Sequence, residues 1–504
     1  MRELKPVINL KRSAGTILAV TIFSAWWTLS KSKKRLKKDS KASIMKRVQL
    51  MEGETSTIMM DVATSISTVT FMEGNHKSAG VYIRQRLKEM IKMNPWLCGY
   101  LDQDTKLGEK SPVFVFHDTM QSVDEAKKSN DVNNLVDFVF THLKPGFNEL
   151  NRNTSYPDMS KIVKPFLVKK GSESIRRPQE PQFKVTIIPD VESENNRWAL
   201  IVSMSHVIAD GHTFYKIHNM LSEDTPIIKL NFTRKPLIMS YNAVKAMGKE
   251  NVGFLQQPKP GLLIHLAAST ILGKLFGPTC AVRIFKLNND FIASKKKESL
   301  NGNDGIQFVS TNDIITSTIC SVSKCDIGTM DVNFRGRLQS INQSNMEANL
   351  EDTDAGNYED KIIYRTPDCS TPSLIRKSIT NDQNNQNTKS WLIRASTPHT
   401  ILPKSILDFW KIQMITCVSN WSTFSKPLHL EKACNSIAIL HLPLFESNDI
   451  PARTFTGCFI FSARENETED MKKGMNTQTI GLAVAGRPDV LDAISKCGLV
   501  NGSL

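Results

Sequence analysis

The sequence predicts an α+β fold, because strand-like and helix-like runs are mixed along its 504 residues. Trp198 to Met204 is almost wholly apolar and has the length of a buried strand. Directly after it, Phe214, Ile217 and Leu221 recur at helical spacing. Earlier in the chain, residues 64–74 show the alternation that is typical of a strand. Sheets with helices packed against them are therefore expected.

The first 50 residues form a basic leader, with 13 Lys or Arg against 2 acids. Residues 13–30 are uncharged and apolar, at the short end of what spans a bilayer, and seven basic residues follow within 31–41. By the positive-inside rule, this basic cluster stays in the cytosol. We therefore predict a single-pass membrane anchor through residues 13–30, with the body of the protein facing the cytosol. An organellar transit peptide is the alternative, because the leader is basic and almost free of acids.

Two further elements are predicted around the first strand. The helix after it has one apolar face and ends before Asn94 and Pro95. Phe183 to Ile188 alternates and is joined to the Trp198 strand by a polar turn at 192–196, which predicts an antiparallel pair. The apolar face of the helix consists of Val81, Ile83, Leu87, Met90 and Ile91.

One histidine directly follows the Trp198 strand. His206 has Asp210 four residues on, with Gly211 behind it. An imidazole accepts a proton from a hydroxyl, amine or thiol near neutral pH when another group fixes its ring. We therefore single out His206 as a candidate base. The alternative is that His206 is a packed residue and that Asp210 only caps the next helix.

Further motifs lie in the second half of the chain. Residues 308–313 read Phe-Val-Ser-Thr-Asn-Asp before an apolar helical pattern, with Ser310 and Asp313 at the spacing of a capping box. Residues 331–338 are strand-like and contain Arg335 and Arg337. Asp-Ala-Gly-Asn-Tyr follows at 354–358, and Trp421 lies within 419–424.

These motifs stand in the order found in the coenzyme A dependent acyltransferases. Residues 206–211 match the His-x-x-x-Asp-Gly signature of that superfamily, and residues 94–97 are similar to its NPWL segment. The later segments resemble its STND helix start, RxRL strand, GNY turn and tryptophan strand. The resemblance covers roughly residues 60–490. The superfamily includes chloramphenicol acetyltransferases, plant alcohol acyltransferases, wax ester synthases and peptide-synthetase condensation domains.

Two departures from the family pattern bear on which branch of the superfamily the chain resembles. Ser205 stands where the paired-histidine branches have their first histidine, so the chain fits the single-histidine variant. The sequence also lacks the DFGWG segment of the plant alcohol acyltransferases.

The resemblance implies two chloramphenicol acetyltransferase-like lobes of mixed sheet and helices, which meet at a central channel that holds the histidine. On this basis residues 1–55 are the anchor and basic stretch, 56–235 the first lobe, 236–280 a crossing linker and 281–504 the second lobe. A monomer is expected.

The resemblance also implies direct acyl transfer from acyl coenzyme A to a hydroxyl, in preference to an amine. His206, rather than His212 or His218 on the helix, would act as general base without a covalent intermediate. Asp210 would pair with an arginine, for which Arg335 is the first candidate and Arg337 the second. Solvated strand arginines are the alternative. Acyl coenzyme A is a co-substrate, and no tightly bound cofactor is expected.

Three supporting residues complete the predicted site. Gly211 would leave room for a close approach of backbone or pantetheine, or permit a positive φ. Ser419 and Ser422, on either side of Trp421, are candidate donors to the thioester oxygen, with ordinary strand hydroxyls as the alternative.

Composition argues against other classes of function. The leader accounts for +11 of the net charge of +14, so the remaining 454 residues carry only +3 and no basic face for nucleic acid is expected. Nine cysteines are scattered without a Cys-x-x-Cys pair, which favours reduced thiols over disulfides or a zinc site. No metal site is predicted.

Two alternatives to a membrane-tethered acyltransferase remain open. In the first alternative, the chain is a catalytically silent relative that acts as a membrane-anchored binding or scaffold protein. In the second, it is a condensation-type enzyme that uses carrier-protein thioesters. The expected acceptor is a lipid-like or small alcohol, and tethering to a membrane favours the lipid-like one.

Overall fold

The structure is a computed structural model. It describes residues 45–104, 111–117, 129–146, 150–177, 179–193, 196–235, 280–301, 306–335, 350–365, 369–379, 415–445, 455–463 and 479–503. Within these ranges, no helix has the length and apolarity needed to cross a bilayer. The predicted anchor at residues 13–30 and the apolar stretch at 262–276 lie outside the described residues.

Strands and helices are mixed along the described chain, which confirms the predicted α+β class. In chain order the strands are β1 (Met45–Gln49), β2 (Ile66–Glu73), β3 (Tyr100–Asp104), β4 (Ser111–His117), β5 (Phe140–His142), β6 (Phe183–Pro189), β7 (Arg197–Met204), β8 (Ala281–Leu287), β9 (Ile327–Asn333), β10 (Glu359–Arg365), β11 (Ile415–Asn420), β12 (His429–Leu430), β13 (Ser436–Pro443), β14 (Phe455–Ser462), β15 (Ile480–Gly486) and β16 (Val500–Ser503).

Helices of very different length connect and cover these strands. The α-helices are α1 (Glu52–Thr55), α2 (His76–Met93), α3 (Ser129–Val139), α4 (Tyr156–Val163), α5 (Gly171–Ile175), α6 (Gly211–Asn219), α7 (Asn289–Leu300), α8 (Thr311–Val322), α9 (Pro372–Ile379), α10 (Glu431–Cys434) and α11 (Pro488–Lys496). Ile58–Val62 forms a π-helical turn, and Pro95–Cys98 and Lys164–Phe166 form 3₁₀ turns.

The first lobe is built on a six-stranded sheet of order β12-β13-β2-β7-β6-β5. The predicted pairing of β6 with β7 is confirmed, with Phe183 opposite Met204 in an antiparallel register. The side chains of β7 after Arg197 are all buried, because the strand lies inside the sheet with helices against it. β13 comes from late in the chain and pairs with β2, so residues of the predicted second lobe complete the sheet of the first.

The predicted helix after β2 is also confirmed. α2 begins where the Asn75 side chain accepts hydrogen bonds from the amides of Lys77 and Ser78, and it ends at Asn94 before Pro95. Ile83 and Leu87 on its predicted apolar face are fully buried in the core of the first lobe. Val81 is the exception, because its side chain is exposed.

The second lobe is built on a seven-stranded sheet of order β10-β9-β11-β14-β15-β8-β16, and a small third sheet has the order β1-β4-β3. α8 packs on the seven-stranded sheet, with Ile314, Ile315 and Ile319 fully buried. Its predicted capping box is confirmed, because Ser310 accepts from the Asp313 amide and Asp313 accepts from the Ser310 amide. The predicted linker at residues 236–280 lies almost wholly outside the described residues, so the domain boundaries stay a prediction.

Candidate active site

His206 lies in the loop between β7 and α6, at the end of a central strand of the first sheet and beside β10 of the second sheet. Its side chain is 25% exposed, and its Nδ1 atom is fully buried. Nδ1 is thus closed to a substrate, which leaves Nε2 as the candidate atom for proton transfer. Burial lowers the pKa of His206, although a hydrogen bond to its own backbone opposes this effect. The ring is consequently neutral at physiological pH, which is the form that accepts a proton.

Asp210 uses both carboxylate oxygens to fix the loop. Oδ1 accepts a hydrogen bond of 2.8 Å from the Thr213 amide, so Asp210 is the N-cap of α6. Oδ2 accepts from Arg335 Nη1 at 2.7 Å and from the Tyr358 amide at 2.9 Å. Asp210 thus both caps the helix and pairs with an arginine. Burial opposes ionisation of Asp210, but Arg335 and these amides hold the pKa of the carboxyl below its usual value.

Arg335 is buried and makes further hydrogen bonds around the same turn. Its Nε donates to the Asp354 carbonyl at 2.8 Å, and its Nη2 donates to Thr213 Oγ1 at 3.0 Å and to the Gly356 carbonyl at 3.1 Å. The guanidinium therefore ties the start of α6 to the segment before β10. Arg337, the second candidate partner, lies outside the described residues.

Asn357, within the predicted GNY turn, holds the histidine itself. Its Nδ2 donates to the His206 carbonyl at 2.6 Å and to the Val207 carbonyl at 3.2 Å. These bonds satisfy backbone acceptors that no strand or helix ladder reaches. The sequence predicts the GNY turn, but it does not predict the role of the Asn357 side-chain amide.

A second buried ion pair supports the other side of the loop. Arg234 Nη2 donates to the Ile208 carbonyl at 3.0 Å, and its Nε donates to Glu54 Oε2 at 2.9 Å. The Glu54 and Arg234 side chains are 0% and 3% exposed. Glu54 also accepts from the Asn357 amide. Sequence reasoning missed this pair, since nothing in the local pattern distinguishes either residue from a surface charge.

Gly356 is the position in this network that requires glycine. Its φ is +151°, a conformation that L side chains rarely adopt, and an added Cβ would lie 3.0 Å from Arg234 Nη1. The backbone therefore passes directly against the guanidinium that supports the histidine loop.

Glu359, the first residue of β10, lies beside the histidine ring. Its Oε1 lies 3.7 Å from His206 Nε2. Burial, with the neighbouring Asp331 and Asp210 carboxylates, raises the pKa of Glu359 to about 8. Glu359 is therefore protonated at neutral pH and presents a neutral carboxylic acid to the ring. It was not predicted from the sequence.

Glu359→Gln is expected to stabilise the protein increasingly as pH rises from 5 to about 8, with no further gain above that pH. The folded state holds the Glu359 proton up to about pH 8, whereas the unfolded carboxyl loses it near 4.5. Between these values the folded state binds more protons, so the contribution of Glu359 to stability falls as pH rises. The difference in Tm between variant and parent, measured across this range, tests the expectation.

Glu298→Gln is the matched control, since Glu298 lies on α7 with 67% of its side chain exposed. Its Tm difference is expected to stay small at every pH. A Glu359→Gln difference that is equally flat would show that the carboxyl titrates normally.

Gly211 does not have the positive φ that was one of its two predicted roles. The space beside it is filled by the indole of Trp421, whose Nε1 lies 3.2 Å from where a Cβ would stand. The close approach at Gly211 is therefore made by an aromatic ring of the second lobe. The approach of pantetheine to Gly211 stays a prediction.

Ser419 and Ser422 lie on either side of that tryptophan. Ser419 is a buried residue of β11, opposite Phe459 of β14. The Ser422 hydroxyl donates to Asn420 Oδ1 at 2.8 Å. No described hydrogen bond joins either hydroxyl to His206, so their role as donors to a substrate stays a prediction.

The other two histidines of the motif region occupy structural positions. His212 Nε2 donates to the Asp352 carbonyl at 3.0 Å. His218 is buried against Phe214, with ring centroids 5.9 Å apart, and burial lowers its pKa to about 4.

A cavity of 420 Å³ beside α6 is lined by His212, Lys216, Asn219, Met220, Thr225, Pro226, Ile228, Asn333, Asp352, Thr423, Phe424 and Lys426.

Solved structures share this fold along almost the whole chain. TRI101 from F. graminearum, complexed with coenzyme A and T-2 mycotoxin, aligns with a TM-score of 0.55 at 12% identity over 89% of this chain and 97% of that chain. TRI3 trichothecene 15-O-acetyltransferase from Fusarium sporotrichioides aligns with a TM-score of 0.52 at 11% identity over 92% and 96%. No protein-family model matches the sequence, and no curated protein matches it. The likeness confirms the predicted two-lobe acyltransferase-like fold.

Proposed function

We propose that this chain, which has the fold of the coenzyme A dependent acyltransferases, transfers an acyl group from acyl coenzyme A to a hydroxyl acceptor. The observation that carries the proposal is a neutral, partly exposed His206 on a loop fixed from both sides. Asp210 and Arg335 hold the end of this loop, and Asn357 holds the histidine backbone. Such an arrangement keeps a base in one orientation, as general-base catalysis requires.

His206 acts in this proposal through Nε2. The ring removes the proton of the acceptor hydroxyl while the oxygen attacks the thioester carbonyl carbon. The carbon–sulfur bond then breaks, and the proton on His206 passes to the departing thiolate, so the ring returns to its neutral form. Acyl transfer is direct, and no covalent acyl-enzyme forms.

The choice of substrates rests on the similar structures. TRI101 has been solved with coenzyme A, and TRI3 is named as an O-acetyltransferase. We therefore favour acyl coenzyme A as co-substrate and a hydroxyl over an amine as acceptor. We place both substrates in a channel between the two lobes, with His206 at its centre.

The proposed location rests on the leader alone. An apolar run at 13–30, followed by seven basic residues, supports a single-pass anchor with the catalytic body facing the cytosol. Attachment to a membrane would raise the local concentration of amphiphilic alcohols, which favours a lipid-like acceptor.

The test is thiol release by the purified full chain from acyl coenzyme A donors of several lengths, with a panel of alcohols and amines. We expect release that depends on an alcohol, with the matching ester detected by mass spectrometry. Binding of coenzyme A without turnover for any acceptor would identify a silent relative instead. Turnover only with acylated carrier protein would identify a condensation-type enzyme.

A further inference from the structure

Three cysteines of the second lobe come together away from the histidine. Cys320 lies in the last turn of α8, Cys325 in the loop before β9, and Cys369 just before α9. Each is 1% exposed. Their sulfur atoms all lie within 4.8 Å of one another. Local sequence patterns do not reveal this cluster, because Cys369 is far from the other two cysteines along the chain.

The backbone leaves space for the three sulfurs. A Cβ at Gly328 of β9 would lie 2.8 Å from Cys320 Sγ, closer than such atoms approach, and in a tight contact of 3.1 Å with Cys369 Sγ. Glycine at this position thus allows the sulfurs to lie against the sheet. Any larger residue would displace two of the three.

The Cys325 sulfur also has hydrogen-bonding contacts with the thiols of Cys320 and Cys369 and with the hydroxyls of Thr416 and Ser323. Binding of Zn²⁺ would release the thiol protons, as metal binding by cysteine does.

The spacing also fits a single ion. Thiolate sulfurs bind Zn²⁺ at about 2.3 Å, which puts sulfurs that share one ion roughly 4 Å apart. Thiolates select soft or borderline cations such as Zn²⁺ over Mg²⁺ or Ca²⁺. Among the described residues, no fourth His, Cys, Asp or Glu joins the group. The fourth position of a tetrahedral ion is thus left to a hydroxyl group or a solvent molecule.

We propose that Cys320, Cys325 and Cys369 bind one Zn²⁺ ion, which fastens the end of α8 and the start of α9 to β9. The ion has a structural role in the second lobe. The proposal does not depend on acyl transfer, because it concerns side chains that make no described contact with the histidine loop.

Zinc and cobalt binding by the reduced full chain test this proposal. After incubation with Zn²⁺ and gel filtration, we expect one ion per chain by elemental analysis and a higher Tm than in the metal-free protein. Co²⁺ in place of Zn²⁺ is expected to give thiolate-to-metal charge-transfer absorption. Cys325→Ser and Cys369→Ala are each expected to abolish the absorption and to lower zinc occupancy at least tenfold.

Cys458→Ser is the matched control, since Cys458 is a fully buried cysteine of the same lobe outside the cluster. It is expected to keep both the ion and the absorption. Two cluster variants are used so that the test survives if one of them does not fold. Circular dichroism shows whether each variant is folded. A fully reduced parent that takes up no ion, or cluster variants that bind as much as the parent, would overturn the site.

Discussion

His206→Ala is expected to lower kcat for thioester consumption by roughly 10²–10⁴-fold, the range that a positioned acid–base group contributes. The reason is that Nε2 belongs to a neutral, partly exposed imidazole, and Asn357 holds the backbone of this residue in place. His206→Gln tests the same point with a side chain of similar size that takes up no proton. Both variants should remain folded, and the rate of thiol release from acyl coenzyme A, with and without acceptor, measures the effect.

His429→Ala is the control for this experiment. His429 is a partly exposed residue of β12 that lies near the carboxylates of Asp224 and Glu431. Its removal should leave kcat unchanged. If His206→Ala retains the turnover of the parent, a group other than His206 takes the proton.

The largest expected loss of stability follows from Arg335→Met. This change leaves the Asp210 carboxylate buried without its cation, and breaking a buried pair in this way costs about 3–5 kcal/mol. Urea unfolding of parent and variant measures the difference in free energy of unfolding. Asp210→Asn combined with Arg335→Met should recover part of the loss, because no unpaired charge then remains.

Arg283→Ala is the matched comparison, because the Arg283–Asp492 pair has side chains 40% and 54% exposed. An exposed pair contributes about 0–1 kcal/mol. Equal losses for Arg335→Met and Arg283→Ala would mean that the buried pair does not hold the loop. The contribution of Asp210 should also be present above its unfolded pKa and be lost as pH falls through its lowered folded pKa.

Local sequence patterns predicted the secondary structure elements around the site better than they predicted the contacts between those elements. The β6–β7 pair, the Ser310 capping box and the strand that leads to His206 depend on neighbouring residues, so periodicity and spacing sufficed. The structure also brings Arg335 to Asp210, where the family resemblance expected an arginine. Their catalytic significance stays a prediction.

The supporting residues were missed for a physical reason. Glu54 and Arg234 are far apart along the chain, and they become a buried pair only when the fold brings them together. Glu359 has an unusual pKa because of burial and of carboxylates on other elements, none of which a local pattern contains. Gly211 was noticed, but its neighbour Trp421 belongs to a distant segment.

The pairing of β13 with β2 has a consequence for synthesis of the chain. While the ribosome is still making the second half, β2 has β7 on one side and an open edge on the other. Unpaired strand edges attract other chains. A nascent polypeptide that stalls or is cut before residue 436 would lack β13 and leave this edge of β2 open to pairing with other chains.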